Sequence, residues 1–147
     1  LPGLFDDCQL WIRKYPFAWL NHQNQALDQI NQNIQNLKTN DAPLSEQFEW
    51  SDIVLFSSTS AGIEAMLSGR YSIYVDLHDL MKVNPIENKG DISKVTCCSN
   101  PIELKETLNI VKNFSGEEFI NAINGQVDFA RKIYEPIDKN YIIKDLY

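Results

Sequence analysis

Residues 50–76 read WSDIVLFSSTSAGIEAMLSGRYSIYVD, and this stretch decides the fold. An apolar run at 53–56 leads into four consecutive hydroxyl residues at 57–60, and a second apolar run begins at residue 71. Continuous apolar runs are typical of parallel strands that are covered on both faces. The residues between them predict a helix that ends before Gly69, because glycine often follows the last residue of a helix. The stretch therefore predicts strand, helix and strand.

The rest of the chain continues this alternation. The other predicted elements are strands at 9–13, 34–38 and 94–98, and helices at 23–33, at 41–50, after the Asn100-Pro101 cap and after the capping box that begins at Ser115. Alternating strands and helices predict an α/β fold. We expect a Rossmann-like three-layer domain with a mostly parallel sheet and right-handed crossovers. Ile53–Phe56 and Tyr71–Val75 are expected to be adjacent central strands.

Apolar spacing predicts which side chains are buried. Trp50 is expected in the core or at an interface, and Cys97 with Cys98 is expected to be a buried apolar pair. The apolar faces predicted for the last two helices are Leu104, Leu108 and Val111 in the first, and Phe119, Ile123, Val127, Ala130 and Tyr134 in the second.

Composition limits the classes of function. The 147 residues fit one domain over 1–147, and 20 acidic against 13 basic residues give a net charge of −7. This charge disfavours binding to nucleic acid or to an anionic membrane surface. The sequence has no apolar run long enough for a transmembrane segment. Three cysteines, two of them adjacent, indicate a reducing compartment, and the spacing of Cys and His does not predict a metal site.

The junction after the first apolar run carries the chemistry. Ligands of parallel sheets bind beyond the carboxyl ends of the strands, and a helix start there offers free N–H groups to an anion. Ser58, Thr59 and Ser60 would add hydroxyl donors, and Gly62 would leave room for a phosphate. Glu64, one turn into the helix, is suited to a ribose diol. The alternative interpretation is ordinary helix capping beside a surface glutamate.

The block from Asp52 to Gly69 resembles the signature of the C-terminal half of GT-B glycosyltransferases. There, a strand of the type S-D-hydrophobic runs into Ser-, Thr- or Gly-rich residues, followed by G-x-E-A. The resemblance implies that Ser58, Thr59 and Ser60 lie at the phosphates of a nucleotide-sugar donor and that Glu64 lies at its ribose. Ser57 and Gly62 are further candidates for contact with the donor. It extends over roughly residues 9–114, mostly at the level of topology.

A second segment, LWIRKYP at 10–16, is similar to a strand that ends in His-Pro in bacterial sialyltransferase-like and capsule-type enzymes. Tyr15 stands at the position of that histidine, which puts a CMP-linked donor in question. Arg13 and Lys14 at this strand end are candidates to offset the donor phosphates. His78, which follows the strand that begins at residue 71, is a further candidate for contact with the sugar or phosphate. For each of these residues, a solvated or loop position is the alternative.

The resemblance implies the donor-binding domain of a glycosyltransferase of surface-polysaccharide biosynthesis, with a UDP- or CMP-linked sugar as substrate and no bound metal or cofactor. A GT-B enzyme has two half-domains, and the catalytic base comes from the N-terminal one. We therefore expect this chain to be part of a longer enzyme, inactive alone, with that half-domain as partner. We expect a cytoplasmic location, or the inner face of the membrane. The alternatives are an epimerase of GT-B architecture and a non-catalytic flavodoxin-like or receiver-like module.

Overall fold

The computed structural model describes residues 8–13, 37–39, 41–57, 59–76, 86 and 91–134. The chain divides into two compact units, Leu1–Gln47 and Phe48–Tyr147. The helix predicted at 23–33 lies outside the described residues.

The first unit contains two short parallel strands. They are β1 (Leu10–Ile12) and β2 (Leu37–Thr39), with Leu10 opposite Leu37 and Ile12 opposite Thr39. The strand predicted at 34–38 thus ends one residue later, at Thr39, while residues 34–36 lie outside the described residues. Helix α1 (Leu44–Trp50) extends across the boundary of the two units and begins later than predicted. Pro43 precedes the helix instead of lying in its first turn, and its carbonyl oxygen accepts the Gln47 N–H at 3.2 Å. Phe48 is the buried residue of this helix, whereas Trp50 is 39% exposed, so Trp50 lies outside the core and an interface position for it stays a prediction.

The second unit contains three parallel strands. They are β3 (Ile53–Phe56), β4 (Tyr71–Val75) and β5 (Thr96–Cys98), in the order β3-β4-β5. Ile53 lies opposite Tyr71, and Ile73 lies opposite Thr96. The predicted α/β class and the parallel pairing of β3 with β4 are therefore confirmed, and the arrangement is consistent with a Rossmann-like three-layer fold.

Burial differs between the first two of these strands. The first four residues of β4, which lies in the middle, are buried, whereas in β3 only Phe56 is fully buried. Among the described strands, β3 has a neighbour on one side only. The prediction that the two strands are adjacent is therefore confirmed, and among the described strands β4 is central whereas β3 lies at the edge of the sheet.

Helices cover both faces of this sheet. They are α2 (Ala61–Leu67), α3 (Pro101–Lys112) and α4 (Gly116–Ile133). On one face, Phe56 and Tyr74 pack in a core cluster with side chains of α2 and α4, namely Ile63, Met66, Phe129 and Ala130. Strand residues alternate between faces. Cys98 points to the other face, where its Sγ lies 3.4 Å from Thr107 Oγ1 of α3.

Local signals in the sequence set the ends of the helices. Asn100 caps α3 by accepting the N–H groups of Ile102 and Glu103, each at 3.0 Å. The capping box between Ser115 and Glu118 begins α4, as predicted. Helix α2 ends at Leu67, and Gly69, two residues later, has a φ of 72°, the left-handed conformation expected after a helix.

Two predictions of burial need correction. Leu104, Leu108 and Val111 are buried as expected, but the buried residues of α4 are Gln126, Phe129 and Ala130, and Tyr134 is 48% exposed. The predicted apolar face does not include the polar residue Gln126, so the buried face of α4 differs from the predicted one. Cys98 is buried but Cys97 is exposed, because adjacent residues of a strand point to opposite faces.

Candidate functional site

The turn between β3 and α2 lies at the carboxyl end of a parallel strand, where the sequence predicts the ligand. Ser57 and Thr59 are half-buried and Ser60 is exposed, while Ser58 lies outside the described residues. Thr59 Oγ1 accepts the N–H of Ala61 at 3.3 Å, which helps to close the turn into the helix. Because this bond uses an acceptor lone pair of Thr59, its hydroxyl hydrogen remains available for donation.

Ser60 occupies the N-cap position of α2 without acting as a side-chain cap. Its carbonyl oxygen accepts the N–H groups of Ile63 and Glu64, at 2.9 and 3.1 Å. Its backbone is in the helical region (φ −68°, ψ −15°), whereas capping side chains usually belong to extended residues. The alternative interpretation, ordinary capping, therefore does not hold for the Ser60 side chain, and the physical reason is this backbone conformation.

The Ser60 hydroxyl instead donates to Glu64 Oε1, at 3.3 Å. Both residues are exposed, and they lie one helical turn apart on the same side of α2. The neighbours of Glu64 in the helix, Ile63, Ala65 and Met66, are buried. Glu64 therefore faces away from the core, with a carboxylate that is accessible at the first turn.

Gly62 has a packing function that the sequence interpretation missed. It is buried, and a Cβ atom at this position would overlap the ring of Phe56. Because residue 62 has no side chain, the first turn of α2 can lie directly against the end of β3. A glycine in the first turn of a predicted helix is a sequence signal of close packing, but it does not identify Phe56 as the partner. Contact between Gly62 and a phosphate stays a prediction.

Arg13 belongs to the first unit, where it is exposed and donates from Nη1 to the carbonyl oxygen of Ala42 at 2.8 Å. Lys14 and His78 lie outside the described residues. The structure thus brings together Thr59, Ser60 and Glu64, and the proposed roles of Arg13, Lys14 and His78 stay predictions.

Two other polar positions follow strands at the same edge of the sheet. The half-buried Asp76 comes after β4 and donates its N–H to the carbonyl oxygen of Cys98, at 2.8 Å. After β5, the Ser99 N–H donates to Glu103 Oε2 at 2.7 Å, and Asn100 caps the next turn. The N-cap side chain of α3, Asn100, therefore accepts N–H groups of its helix, whereas the N-cap side chain of α2, Ser60, does not.

Burial raises the pKa of the Cys97 thiol, and the nearby Cys98 and Asp76 raise it further. A thiol in this state is a weak nucleophile at neutral pH, because the thiolate is the reactive form. The direction of this pKa shift does not favour Cys97 as a nucleophile.

Within the described ranges, no group of three or more His, Cys, Asp or Glu residues is arranged to hold a metal ion. In the same part of the chain, every helix is too short or too polar to span a bilayer. Comparison of the chain with protein families, with curated proteins and with solved structures gives no match.

Proposed function

We propose that this chain is the nucleotide-sugar-binding domain of a GT-B-type glycosyltransferase that acts in surface-polysaccharide biosynthesis in the cytoplasm. One observation carries the proposal. Directly after the parallel strand β3, the first turn of α2 presents the Glu64 carboxylate with the Ser60 hydroxyl as its hydrogen-bond partner. This pairing stands within the sequence block that resembles the donor site of those enzymes.

The phosphates of the donor would bind beside Thr59 and Ser60. The edge beyond the carboxyl ends of parallel strands is where α/β sheets bind ligands. Thr59 retains a hydroxyl hydrogen for a phosphate oxygen, because its bond to Ala61 N–H uses only a lone pair. The Ser60 hydroxyl has one hydrogen, so it reaches a phosphate only by releasing Glu64.

The ribose of the donor would replace Ser60 as the partner of Glu64. An ionised carboxylate accepts several hydrogen bonds, and a ribose diol offers two donors in adjacent positions. Ser60 already shows that a hydroxyl group reaches Glu64 Oε1. Ribose binding at Glu64 and phosphate binding at Ser60 are therefore compatible, since the first releases the hydroxyl that the second needs.

The reaction would be the transfer of a glycosyl group from a UDP- or CMP-linked sugar. We assign no catalytic residue to this chain, because the proposed catalytic base belongs to the partner half-domain. The isolated chain is then expected to bind nucleotide weakly and to transfer no sugar. The proposal requires no cofactor, and the nucleotide sugar is a substrate.

Calorimetric titration of the chain with UDP and with CMP tests the proposal. A hydrogen bond to a charged group contributes about 1.5–3 kcal/mol. Glu64→Ala is therefore expected to weaken binding of the recognised nucleotide by roughly ten- to a hundredfold. Glu106→Ala is the matched control, since Glu106 is an exposed glutamate of α3, and its affinity should equal that of the wild type.

Either of two outcomes of this titration would contradict the proposal. Equal nucleotide affinity of the wild type and Glu64→Ala would show that Glu64 does not contribute to nucleotide binding. Failure of both nucleotides to bind at millimolar concentration would leave Ser60 and Glu64 as an ordinary surface pair. Circular dichroism of each variant checks that the fold is retained.

A further inference from the structure

The buried side chain of Gln126 in α4 is bound to the backbone of a strand. Gln126 is 1% exposed and Ser72 of β4 is 0% exposed. The Ser72 N–H donates to Gln126 Oε1, and Gln126 Nε2 donates to the Ser72 carbonyl oxygen, both at 2.8 Å. One side-chain amide thus satisfies a donor and an acceptor of the same residue, as a single residue of an antiparallel strand does with its own N–H and carbonyl oxygen.

The edge of β4 that Gln126 occupies is the edge that pairs with β5. Asp76 donates its N–H to Cys98 of β5, and backbone groups two or four residues apart along a strand point to the same edge. Ser72 lies four residues before Asp76. Gln126 therefore binds β4 on the side of β5.

The register shows which bond Gln126 replaces. Val75 pairs with Cys98, and the N–H of the next residue, Asp76, goes to the Cys98 carbonyl. Four residues earlier on each strand, the same ladder would join the Ser72 N–H to the carbonyl of Lys94. Strand β5 begins at Thr96, and Lys94 belongs instead to a short 3-10 helix, Ile92–Lys94.

We propose that the Gln126 amide is a side-chain substitute for a strand residue, and that it allows the chain to leave the sheet before Thr96. Without the amide, the buried N–H of Ser72 would have no acceptor unless the chain at Lys94 joined the sheet. Joining the sheet would disrupt the 3-10 turn, in which Lys94 N–H donates to Asp91 O and Val95 N–H to Ile92 O. Gln126 therefore fixes both the first residue of β5 and the position of α4 along the sheet.

The first test uses hydrogen exchange of the wild-type chain, followed by NMR. The Nε2 hydrogens of Gln126 are expected to exchange at least a hundredfold more slowly than the Nδ2 hydrogens of Asn124. Asn124 is an exposed residue of the same helix, so it is the internal control. Equal exchange at the two side chains would overturn the proposal, because a buried amide bound to Ser72 is shielded from water.

The second test uses Gln126→Met, which keeps the length and apolar stem of the side chain but removes the amide. In this variant, the hydrogen-exchange protection factor of the Ser72 N–H, divided by that of the Tyr74 N–H in the same strand, should be at least tenfold lower than in the wild type. Asn124→Met should leave this ratio unchanged. An unchanged ratio in Gln126→Met would show that another group completes the strand. If Gln126→Met does not fold, the wild-type exchange measurement decides by itself.

Discussion

Gly62 lies against the ring of Phe56, in the position where the Cβ of any other residue would overlap that ring. The last residue of β3 thus packs directly on the first turn of α2, and Phe56 in turn meets Tyr74 edge to face, with ring centroids 5.5 Å apart. The geometry of the candidate site depends on this close approach, because Ser60 and Glu64 stand on the same turn.

Gly62→Ala tests this packing. Alanine is favoured over glycine in a helix, but overpacking of a core costs about 1–3 kcal/mol. We expect the overpacking to dominate and the free energy of unfolding to fall by about that amount. Denaturant unfolding measures it.

Gly116→Ala is the matched control for that experiment. Gly116 begins α4, and a Cβ at this position meets no atom within 4 Å. The free energy of unfolding of Gly116→Ala should be unchanged or increased by up to about 1 kcal/mol. Equal stability effects of the two substitutions would contradict the packing function of Gly62.

The serines that begin α2 and α4 should differ in their contribution to stability. Ser115→Ala removes a hydroxyl that accepts the Glu118 N–H at 3.2 Å, and loss of such a cap costs about 1 kcal/mol. Ser60→Ala removes no side-chain cap, so the free energy of unfolding should change little. Thermal unfolding of the two variants compares them directly. A Ser60→Ala variant as destabilised as Ser115→Ala would show that Ser60 is a capping residue after all.

The sequence predicts those features that depend on neighbouring residues. The caps at Asn100 and Ser115 and the end of α2 before Gly69 were predictable, because each depends on residues within one turn. The parallel pairing of β3 with β4 followed from their apolar runs and the helix between them.

Features that depend on tertiary contacts could not be predicted in the same way. Gln126 was missed because its burial depends on the backbone of Ser72, 54 residues away, and no periodic pattern marks a buried polar residue. The conformation of Ser60 was missed because residue type alone does not reveal φ and ψ. The packing of Gly62 depends on the orientation of the Phe56 ring, which the spacing of the glycine leaves open.

The two adjacent cysteines should differ in their reaction with a thiol reagent. In a Cys8→Ser background, Cys97 should react in the folded chain and Cys98 only after unfolding, because Cys98 is buried. The raised pKa of Cys97 means that less thiolate is present at pH 7 than in an unperturbed thiol. Its labelling should therefore be slower than that of a cysteine in a short peptide, and it should accelerate as the pH rises towards 9.

Mass spectrometry of the labelled peptides assigns each reaction. In Cys8→Ser/Cys97→Ser, the folded chain should take up no label. Rapid labelling of Cys98 in that variant would contradict its burial in the sheet.

The central claim is that a nucleotide binds at the turn from β3 to α2. Titration of the isotope-labelled chain with UDP and with CMP, followed by the shifts of backbone amide resonances, tests it most directly. We predict that the largest shifts of amide resonances fall on Thr59 through Glu64. Smaller changes are expected at Ser99 through Glu103, because the helix that begins there is already capped by Asn100. Shifts that leave 59–64 unchanged, or no shifts at millimolar nucleotide, would contradict it.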